Sequence, residues 1–340
     1  MTCPMTSGTI TVVVPCYNYG RYLRACVESV LSQGVDARVT IIDDCSGDDT
    51  EAIGTALSLS HPAVTFHRHQ KNIGHILTYN EGLGNVETDY VLLLSADDLL
   101  APNALQRAIE VLDARPDVAL LYGDVVEFSG APPDIGDQGP AVVKVLAGQD
   151  FIVRSCSDIW NPICTPTAVV RSSAQRAVGG YRPTLPHSGD REMWLRLATQ
   201  GDIAELAGSV QAFYRQHDVN MHKQWFYDPL INDRETRRAY ETFFDGCGSG
   251  VGDIGSAKSL FARRMAERGV WWSFQKLKRG QILGAATCLR FAASVWNNVP
   301  EAAIGMFDVR QFIPLQYAVR ERRRRRLQGG SVAGHVPGVT

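Results

Sequence analysis

The chain has 340 residues, of which 45% are hydrophobic and 21% are charged. This composition is ordinary for a globular protein and excludes a disordered chain, a collagen or a coiled coil as the overall description. The formal net charge of -2 hides an uneven distribution, because residues 258–340 carry 15 Lys and Arg against 4 Asp and Glu, which leaves the rest of the chain acidic. An acidic body disfavours a nucleic-acid-binding protein.

Strands and helices alternate over the first 125 residues. Short β-branched and apolar runs predict strands at 9–15, 39–43, 64–68, 90–94 and 118–122, and amphipathic segments between them predict helices at 21–33, 51–59, 76–84 and 102–114. Strands separated by helices at this spacing form parallel βαβ units. We therefore predict an α/β fold with a Rossmann-like, mixed but mainly parallel sheet flanked by helices.

The second half of the chain has a weaker pattern. A polar loop rich in Pro and Gly is predicted at 129–139, followed by a strand at 167–170, a helix at 192–199 and an extended segment at 203–214. From about residue 228 the pattern is helical. We predict one domain over 1–227, a helical C-terminal extension over 228–328 and a disordered tail over 329–340.

Localisation is predicted from what the ends of the sequence contain. Residues 1–9 resemble no secretory signal, and no run approaches the roughly 18 to 20 apolar residues that a spanning helix needs. We expect a cytoplasmic protein. The arginine-rich run at 320–326 predicts a peripheral contact with an anionic inner membrane surface through residues 310–326, and a solvated helix end or a contact within a homo-oligomer is an equal alternative.

Acidic side chains follow two of the predicted parallel strands. Asp43 and Asp44 end the second strand, and Asp97 and Asp98 follow the fourth. Ligands of such sheets bind beyond the carboxyl ends of the strands. Bare carboxylates would repel a diphosphate unless a hard cation such as Mg²⁺ or Mn²⁺ lay between them, whereas an aspartate can also accept hydrogen bonds from a base or a ribose. A helix N-cap is the alternative role for each of them.

Four segments resemble consecutive motifs of the inverting family 2 glycosyltransferases, which have the A-type nucleotide-diphospho-sugar transferase fold: VVVPCYNYGRYLRACVESVLSQ, VTIIDDCSGDDT, HRHQKNIGHILTYNEGL and YVLLLSADDLLAPNAL. The similarity resumes at GGYRPTLPHSGDREMWLRLATQGDIAEL and YRQHDVNMH, so residues 9–222 are covered in the family's order. The resemblance implies transfer of a sugar from a nucleoside-diphosphate donor, UDP being our preferred nucleotide, to a saccharide or lipid-linked acceptor in cell-surface polysaccharide or glycolipid biosynthesis.

The resemblance also assigns roles to residues. Those that would bind the nucleotide sugar are Pro15, Tyr17, Asn18, Asp43, Asp44, Asn72, Gly74, Ser95, Ala96, Asp97 and Arg215. Asp97 and His217 would hold a divalent cation, Mn²⁺ or Mg²⁺, although a surface histidine is the alternative for His217. Two departures stand out, because Ser95 replaces the first carboxylate of the family's aspartate-x-aspartate motif and Tyr79 replaces an arginine often found before Asn80.

The catalytic base implied by the resemblance is Asp190. Inverting transfer needs a carboxylate opposite the leaving nucleotide, to take the proton of the acceptor hydroxyl as it attacks. Glu192 is the rival base, and a helix N-cap is the alternative role of Asp190. We place His187, Glu192 and Trp194 on the acceptor side. Two other functions stay open: a catalytically degenerate nucleotide-binding scaffold, suggested by Ser95 and Gly189, and a nucleotidyltransferase on a related fold, although Pro15–Asn18 is not a glycine-rich activating loop.

Overall fold

A computed structural model describes residues 8–136, 138, 141–159, 161–218, 228–246 and 252–296 of the chain. Two compact units are distinguished by their internal contacts. The larger comprises residues 1–155 and 163–258, and the smaller comprises residues 156–162 and 259–340. The predicted division after residue 227 stays a prediction, and the predicted tail at 329–340 and membrane contact at 310–326 lie outside the described residues.

One nine-stranded mixed sheet forms the larger unit. Its strands are β1 (Ile10–Cys16), β2 (Ala37–Asp43), β3 (Val64–Arg68), β4 (Tyr90–Leu93), β5 (Leu99–Leu100), β6 (Val118–Phe128), β7 (Val142–Leu146), β8 (Val169–Arg171) and β9 (Asp202–Arg215). Their order is β3-β2-β1-β4-β8-β6-β9-β5, and β7 also pairs with β9. Strands β1 to β4 are mutually parallel, β8 is antiparallel to both of its neighbours, and β6 and β9 are again parallel.

The position of each strand explains its sequence. Strand β1 lies between β2 and β4 and every one of its residues is buried, so the run ITVVVPC is apolar on both faces of the sheet. Strand β3 lies at the sheet edge and its buried and exposed residues alternate in part, which leaves polar side chains in VTFHR. The predicted first four strands are confirmed to within about two residues at each end.

Ten α-helices occur in the described residues: α1 (Gly20–Leu31), α2 (Thr50–Ser60), α3 (His75–Gly84), α4 (Ala104–Ala114), α5 (Gly148–Asp158), α6 (Ser172–Val178), α7 (Gly189–Leu197), α8 (Pro229–Gly246), α9 (Ile254–Lys278) and α10 (Ile282–Val295). Helix α1 buries Leu23, Cys26 and Val30 at the three- and four-residue spacing of one helical face. Its first residue must be Gly20, because a Cβ there would lie 2.7 Å from the backbone nitrogen of Thr50.

Four elements escaped the sequence prediction, and two strands differ in length. Strand β5 has only two residues, strand β7 is largely exposed, and helices α5 and α6 followed no predicted signal. Strand β6 continues to Phe128, beyond the predicted end at residue 122. The segment predicted as extended at 203–214 is one long strand, β9, whose pairing with β6 contains register shifts.

The helical C-terminal part is confirmed by α8, α9 and α10. Within the smaller unit, α9 and α10 approach closely at Gly269, where a Cβ would lie 3.1 Å from the Cβ of Ala292. Val270 and Ala292 are buried there with Trp271 packed beside them. None of the described helices has the length and apolarity that crossing a bilayer requires.

Candidate functional site

The parallel strands and β9 bring the predicted site residues to one edge of the sheet. Cys16 at the end of β1 is paired with Asp43 at the end of β2, and β4 ends just before the Ser95–Asp98 turn. Strand β9 ends at Arg215, whose backbone N–H donates to the Asp98 carboxylate at 2.9 Å. Residues more than 110 positions apart in the sequence therefore meet at this edge.

Asp97 and His217 form the centre of the site. The Oδ2 atom of Asp97 lies 2.9 Å from Nε2 of His217, and both side chains are about nine-tenths buried. The neighbouring Asp98 is also buried and accepts the Arg215 N–H, so this second carboxylate serves the turn itself. Burial, and then the charge of Asp97, raise the pKa of Asp98 despite the opposing hydrogen bond from Arg215.

The turn that carries Asp97 is held by backbone contacts. The carbonyl of Ser95 accepts the Asp98 N–H at 3.0 Å, and Ala96 is completely buried. Arg215 donates through Nε to the Asp97 carbonyl at 2.8 Å and through Nη1 to the Gly130 carbonyl at 3.0 Å. The guanidinium predicted to contact phosphate therefore also fixes the backbone of Asp97.

Aromatic rings from α1 and β6 frame this centre. The guanidinium of Arg215 lies 4.5 Å from the ring centroid of Tyr22 and 4.4 Å from that of Phe128. The Tyr22 ring also stacks on the His217 imidazole, with centroids 5.6 Å apart, and Tyr19 meets that imidazole edge-on. In the sequence, Tyr22 is only one residue of the predicted helix at 21–33. Tyr22 contacts Arg215 and His217 only because the long-range pairing of β9 with β6 brings the end of β9 beside α1.

The first-strand loop is tied to the loop that follows β2. Pro15 is buried within β1, whereas Tyr17 is 49% exposed at the same edge. Asn18 has a left-handed backbone, with φ of 57°. It donates its N–H to Ser46 Oγ, and its side-chain oxygen accepts the Gly47 N–H, both at 2.8 Å. Of the three predicted residues, Tyr17 and Asn18 are therefore exposed and Pro15 is not.

The two acids at the end of β2 have different surroundings. Asp43 is completely buried and accepts hydrogen bonds from Ser46 and Arg68, so it holds the loop in place and is not accessible to a ligand. This placement argues against direct contact between Asp43 and the nucleotide sugar.

Asp44 organises the loop before α3. Its Oδ1 accepts the Ile73 N–H and contacts His69 Nδ1, both at 2.8 Å, and its Oδ2 accepts the Gly74 N–H at 2.9 Å. The other ring nitrogen of His69 lies 2.9 Å from Glu81 Oε2. Burial acts to lower the pKa of His69, but the hydrogen bonds to the two carboxylates outweigh it and the pKa is raised.

The loop of Asn72 and Gly74 leads directly into α3. The Asn72 side chain is exposed and accepts the Gly74 N–H at 3.1 Å. Gly74 has φ of 88°, a conformation that L side chains rarely adopt. The glycine is therefore required for the Asp44 contact and for the start of the helix.

Asp190 lies in the first turn of α7, which begins at Gly189, three residues before the predicted start; the N-cap is Ser188 and not Asp190. Burial raises the pKa of Tyr79, and the charges of Asp97, Asp98 and Asp190 raise it further. The Tyr79 hydroxyl is therefore within electrostatic range of both the Asp97 turn and Asp190. Tyr79 also meets the Tyr181 ring edge-on, with centroids 5.7 Å apart.

Glu192 and Trp194, which were predicted on the acceptor side, are both buried in the core. Glu192 is 0% exposed and makes two 2.7 Å hydrogen bonds with the guanidinium of Arg196, so it is a buried ion-pair partner and is unavailable as a base. Trp194 is also buried and lines a small internal cavity with Leu83 and Val91. Helix α7 directs both side chains into the core.

His187 lies in the segment that precedes α7. Next to it, the Pro186 carbonyl accepts a hydrogen bond from His75 Nε2 at 2.8 Å, which ties this segment to the start of α3. Burial lowers the pKa of His187; the charge of Glu235 opposes this shift, and the charges of His75 and Arg238 add to it. A largely neutral imidazole at neutral pH follows from this arrangement.

Known proteins with similar sequences include glycosyltransferases and a chondroitin synthase. The family model described as glycosyl transferase family 2 matches residues 11–138. An uncharacterised glycosyltransferase of Rickettsia typhi is 32% identical over 250 residues, 71% of each chain. The chondroitin synthase of Escherichia coli is 26% identical over 199 residues, which are 58% of this chain but only 27% of that protein. Coverage of the first curated relatives ranges from 27% to 71% of their length.

Solved structures share the fold at low sequence identity. S. aureus TarS in complex with UDP-GlcNAc superposes with a TM-score of 0.61 at 15% identity and covers 91% of each chain. A mannosyltransferase from Pyrobaculum calidifontis in complex with GDP-Man and Mn²⁺ gives a TM-score of 0.56 at 16% identity, over 94% of this chain and 85% of that one. The A-type glycosyltransferase fold expected from the sequence is confirmed.

Proposed function

The chain belongs to glycosyl transferase family 2, and on that basis we propose that it transfers a sugar from a nucleoside-diphosphate donor to an acceptor hydroxyl with inversion at the sugar carbon. The observation that carries the proposal is the pairing of Asp97 with His217 at the sheet edge. Asp190 is within electrostatic range of the same Tyr79 hydroxyl as Asp97. One carboxylate for the leaving group and another for the acceptor is what such a reaction needs.

Asp97 and His217 would hold a divalent cation, Mn²⁺ or Mg²⁺. A carboxylate oxygen and an imidazole nitrogen 2.9 Å apart form a donor pair that suits Mn²⁺. The described part of the chain contains no group of three such ligands, so donor oxygens and water would complete the coordination. When bound, the cation would stabilise negative charge on the departing diphosphate.

Asp190 would act as the general base. It would accept the proton of the acceptor hydroxyl while the oxygen attacks the sugar carbon from the side opposite the nucleotide, and the bond to the diphosphate oxygen would break as the new bond forms. His187, beside the start of α7, would contact the acceptor as a neutral imidazole.

The donor would lie along the loops after β1, β2 and β4. Tyr17 is accessible for stacking on a base, and Asn72 and Gly74 precede α3, whose N-terminus would favour phosphate. Arg215 would neutralise phosphate charge from the end of β9. Pro15, Asn18, Asp44, Ser95 and Ala96 would shape the same pocket. UDP is the preferred nucleotide, and the TarS complex with UDP-GlcNAc supports this choice.

The acceptor would be a saccharide or lipid-linked sugar in the synthesis of a surface polysaccharide or glycolipid. Similarity to a chondroitin synthase supports a saccharide product. Work at a lipid-linked acceptor would place the protein in the cytoplasm, at the inner face of the membrane.

Calorimetric titration tests the donor proposal. UDP, GDP and dTDP would each be titrated with and without Mn²⁺ into the protein and into Asp97→Ala. We expect one nucleotide to bind with a strong dependence on Mn²⁺ that the variant loses. Metal-independent binding, equal in both proteins, would contradict the assignment of Asp97.

A catalytically degenerate nucleotide-binding scaffold is the second candidate. It is favoured by Ser95, which stands where the family has its first carboxylate, and by the two-residue donor pair. An enzyme would release UDP from a UDP-sugar when a cell extract supplies the acceptor, whereas a scaffold would bind the donor and release none.

A further inference from the structure

The turn between α9 and α10 is a rigid end of a helical hairpin. The Gln281 N–H donates to the Lys276 carbonyl at 3.0 Å, and the Gly280 N–H donates to the Leu277 carbonyl at 2.9 Å. Gly280 has φ of 70°. These are the bonds of a Schellman motif, which ends α9 at a fixed angle before α10 begins at Ile282.

Large apolar side chains are exposed around this turn. Ile282 is 71% exposed and Leu283 is 85% exposed. Of the eleven large hydrophobic residues that are exposed in the described part of the chain, five fall within seventeen positions: Phe274, Leu277, Ile282, Leu283 and Leu289. Such a concentration marks a contact surface, because scattered apolar residues are normal but clustered ones are costly in water.

The same segment is purely basic. Residues 274–290 contain four cations and no Asp or Glu; the cations are Lys276, Lys278, Arg279 and Arg290. The ammonium group of Lys278 lies 4.5 Å from the ring centroid of Phe274, so charge and apolar surface are adjacent. We refer to residues 274–290 as the hairpin tip.

We propose that the hairpin tip docks onto an anionic lipid bilayer, with the apolar side chains between the lipids and the cations at the lipid phosphates. Apolar residues beside Lys and Arg, without acids, are the chemistry of an interfacial membrane contact. The long stems of Lys and Arg let their charges reach the headgroups while the turn enters the interface. The docking is independent of the donor site and of the sugar transferred.

Charge disfavours the C-terminal segment of the same chain as the partner of the hairpin tip. Residues 297–340 carry seven Arg against three Asp and Glu, so that segment has the same sign as the hairpin tip. Anionic lipid has the opposite sign and accommodates protruding apolar side chains without a matching groove. The hairpin tip could instead bind the acidic part of a second copy of the chain, and the test below distinguishes this outcome.

Vesicle co-sedimentation of the full chain tests the proposal. Vesicles of phosphatidylcholine alone would be compared with vesicles containing about one third phosphatidylglycerol. We expect binding to the anionic vesicles only. One double variant combines Ile282→Ser with Leu283→Ser, and the other combines Lys278→Glu with Arg279→Glu. Each should bind the anionic vesicles at least roughly tenfold more weakly than the unchanged protein does.

Matched controls change the same chemistry on the larger unit. Leu59→Ser removes an exposed leucine from α2, and Arg38→Glu reverses an exposed charge on β2; both should bind as the unchanged protein does. Circular dichroism checks that each variant is folded. Three outcomes overturn the proposal: no binding by the unchanged protein, equal binding by the hairpin-tip variants, or a loss of self-association in gel filtration without any loss of vesicle binding.

Discussion

Replacing Glu192 by Gln tests whether this residue is structural. The carboxylate is completely buried and accepts two 2.7 Å hydrogen bonds from Arg196, with a longer contact of 3.4 Å from the half-exposed Arg182. A glutamine would present its amide N–H groups to the guanidinium donors and leave a buried positive charge without its partner. Removal of one partner of a buried pair costs about 3 to 5 kcal/mol.

The assay is urea unfolding followed by circular dichroism, read as the free energy of unfolding. Glu241→Gln is the matched control, because Glu241 pairs with Arg237 at the same four-residue spacing but is 44% exposed. An exposed pair of this kind contributes about 0.5 kcal/mol. A loss below about 1 kcal/mol in Glu192→Gln, together with a large fall in turnover by fully folded protein, would refute the structural assignment and restore Glu192 as a candidate base.

Three further predictions concern the loops and rings around the site. Gly74→Ala should lower the free energy of unfolding by about 1 to 2 kcal/mol, because φ of 88° strains any other residue although no atom lies within 4 Å of the added Cβ. The control Gly84→Ala, in open space within α3, should be neutral or slightly stabilising. Equal effects of the two substitutions in urea unfolding would contradict this prediction. Tyr22→Leu should weaken Mn²⁺-dependent nucleotide binding by about 1 to 2 kcal/mol, roughly 5- to 30-fold, because the ring orients Arg215 and His217; unchanged affinity in calorimetry would show that the rings do not orient them. His69→Gln should destabilise the protein most at acidic pH. The raised pKa of His69 means that its protonated form stabilises the fold fully below about pH 6.5, and that this contribution is lost as pH rises through the folded-state pKa. A difference in unfolding free energy that does not vary with pH would disprove the imidazolium with two hydrogen bonds.

The parallel half of the sheet was predictable because its strands are buried on both faces. β1 and β4 are continuous apolar runs whose register with their neighbours is shared, so their carboxyl ends had to meet at one edge. β7 was missed because its exposed VVKVL segment resembles a solvated loop, and β5 because two residues carry no periodic signal.

The site was predictable in its residue types more than in its orientations. Asp97, His217 and Asp190 were expected from motifs, but the aromatic frame of Tyr22 depends on β9 returning beside β6, a long-range pairing that no local pattern encodes. The burial of Glu192 could have been anticipated from the sequence. Residues two apart on a helix lie about 200° apart around its axis, so Asp190 and Glu192 face opposite sides. Arg196, four positions after Glu192, was the signal of its partner.

The central claim is that Asp97 serves the donor and Asp190 the acceptor. The most direct measurement compares donor binding with turnover for Asp190→Asn, using calorimetry of the UDP-sugar with Mn²⁺ and UDP release in the presence of an acceptor extract. We predict affinity within about twofold of the unchanged protein and a loss of UDP release of at least about 100-fold, because only the proton acceptor has been removed. Retained UDP release at full donor occupancy would contradict the account and move the base to another residue.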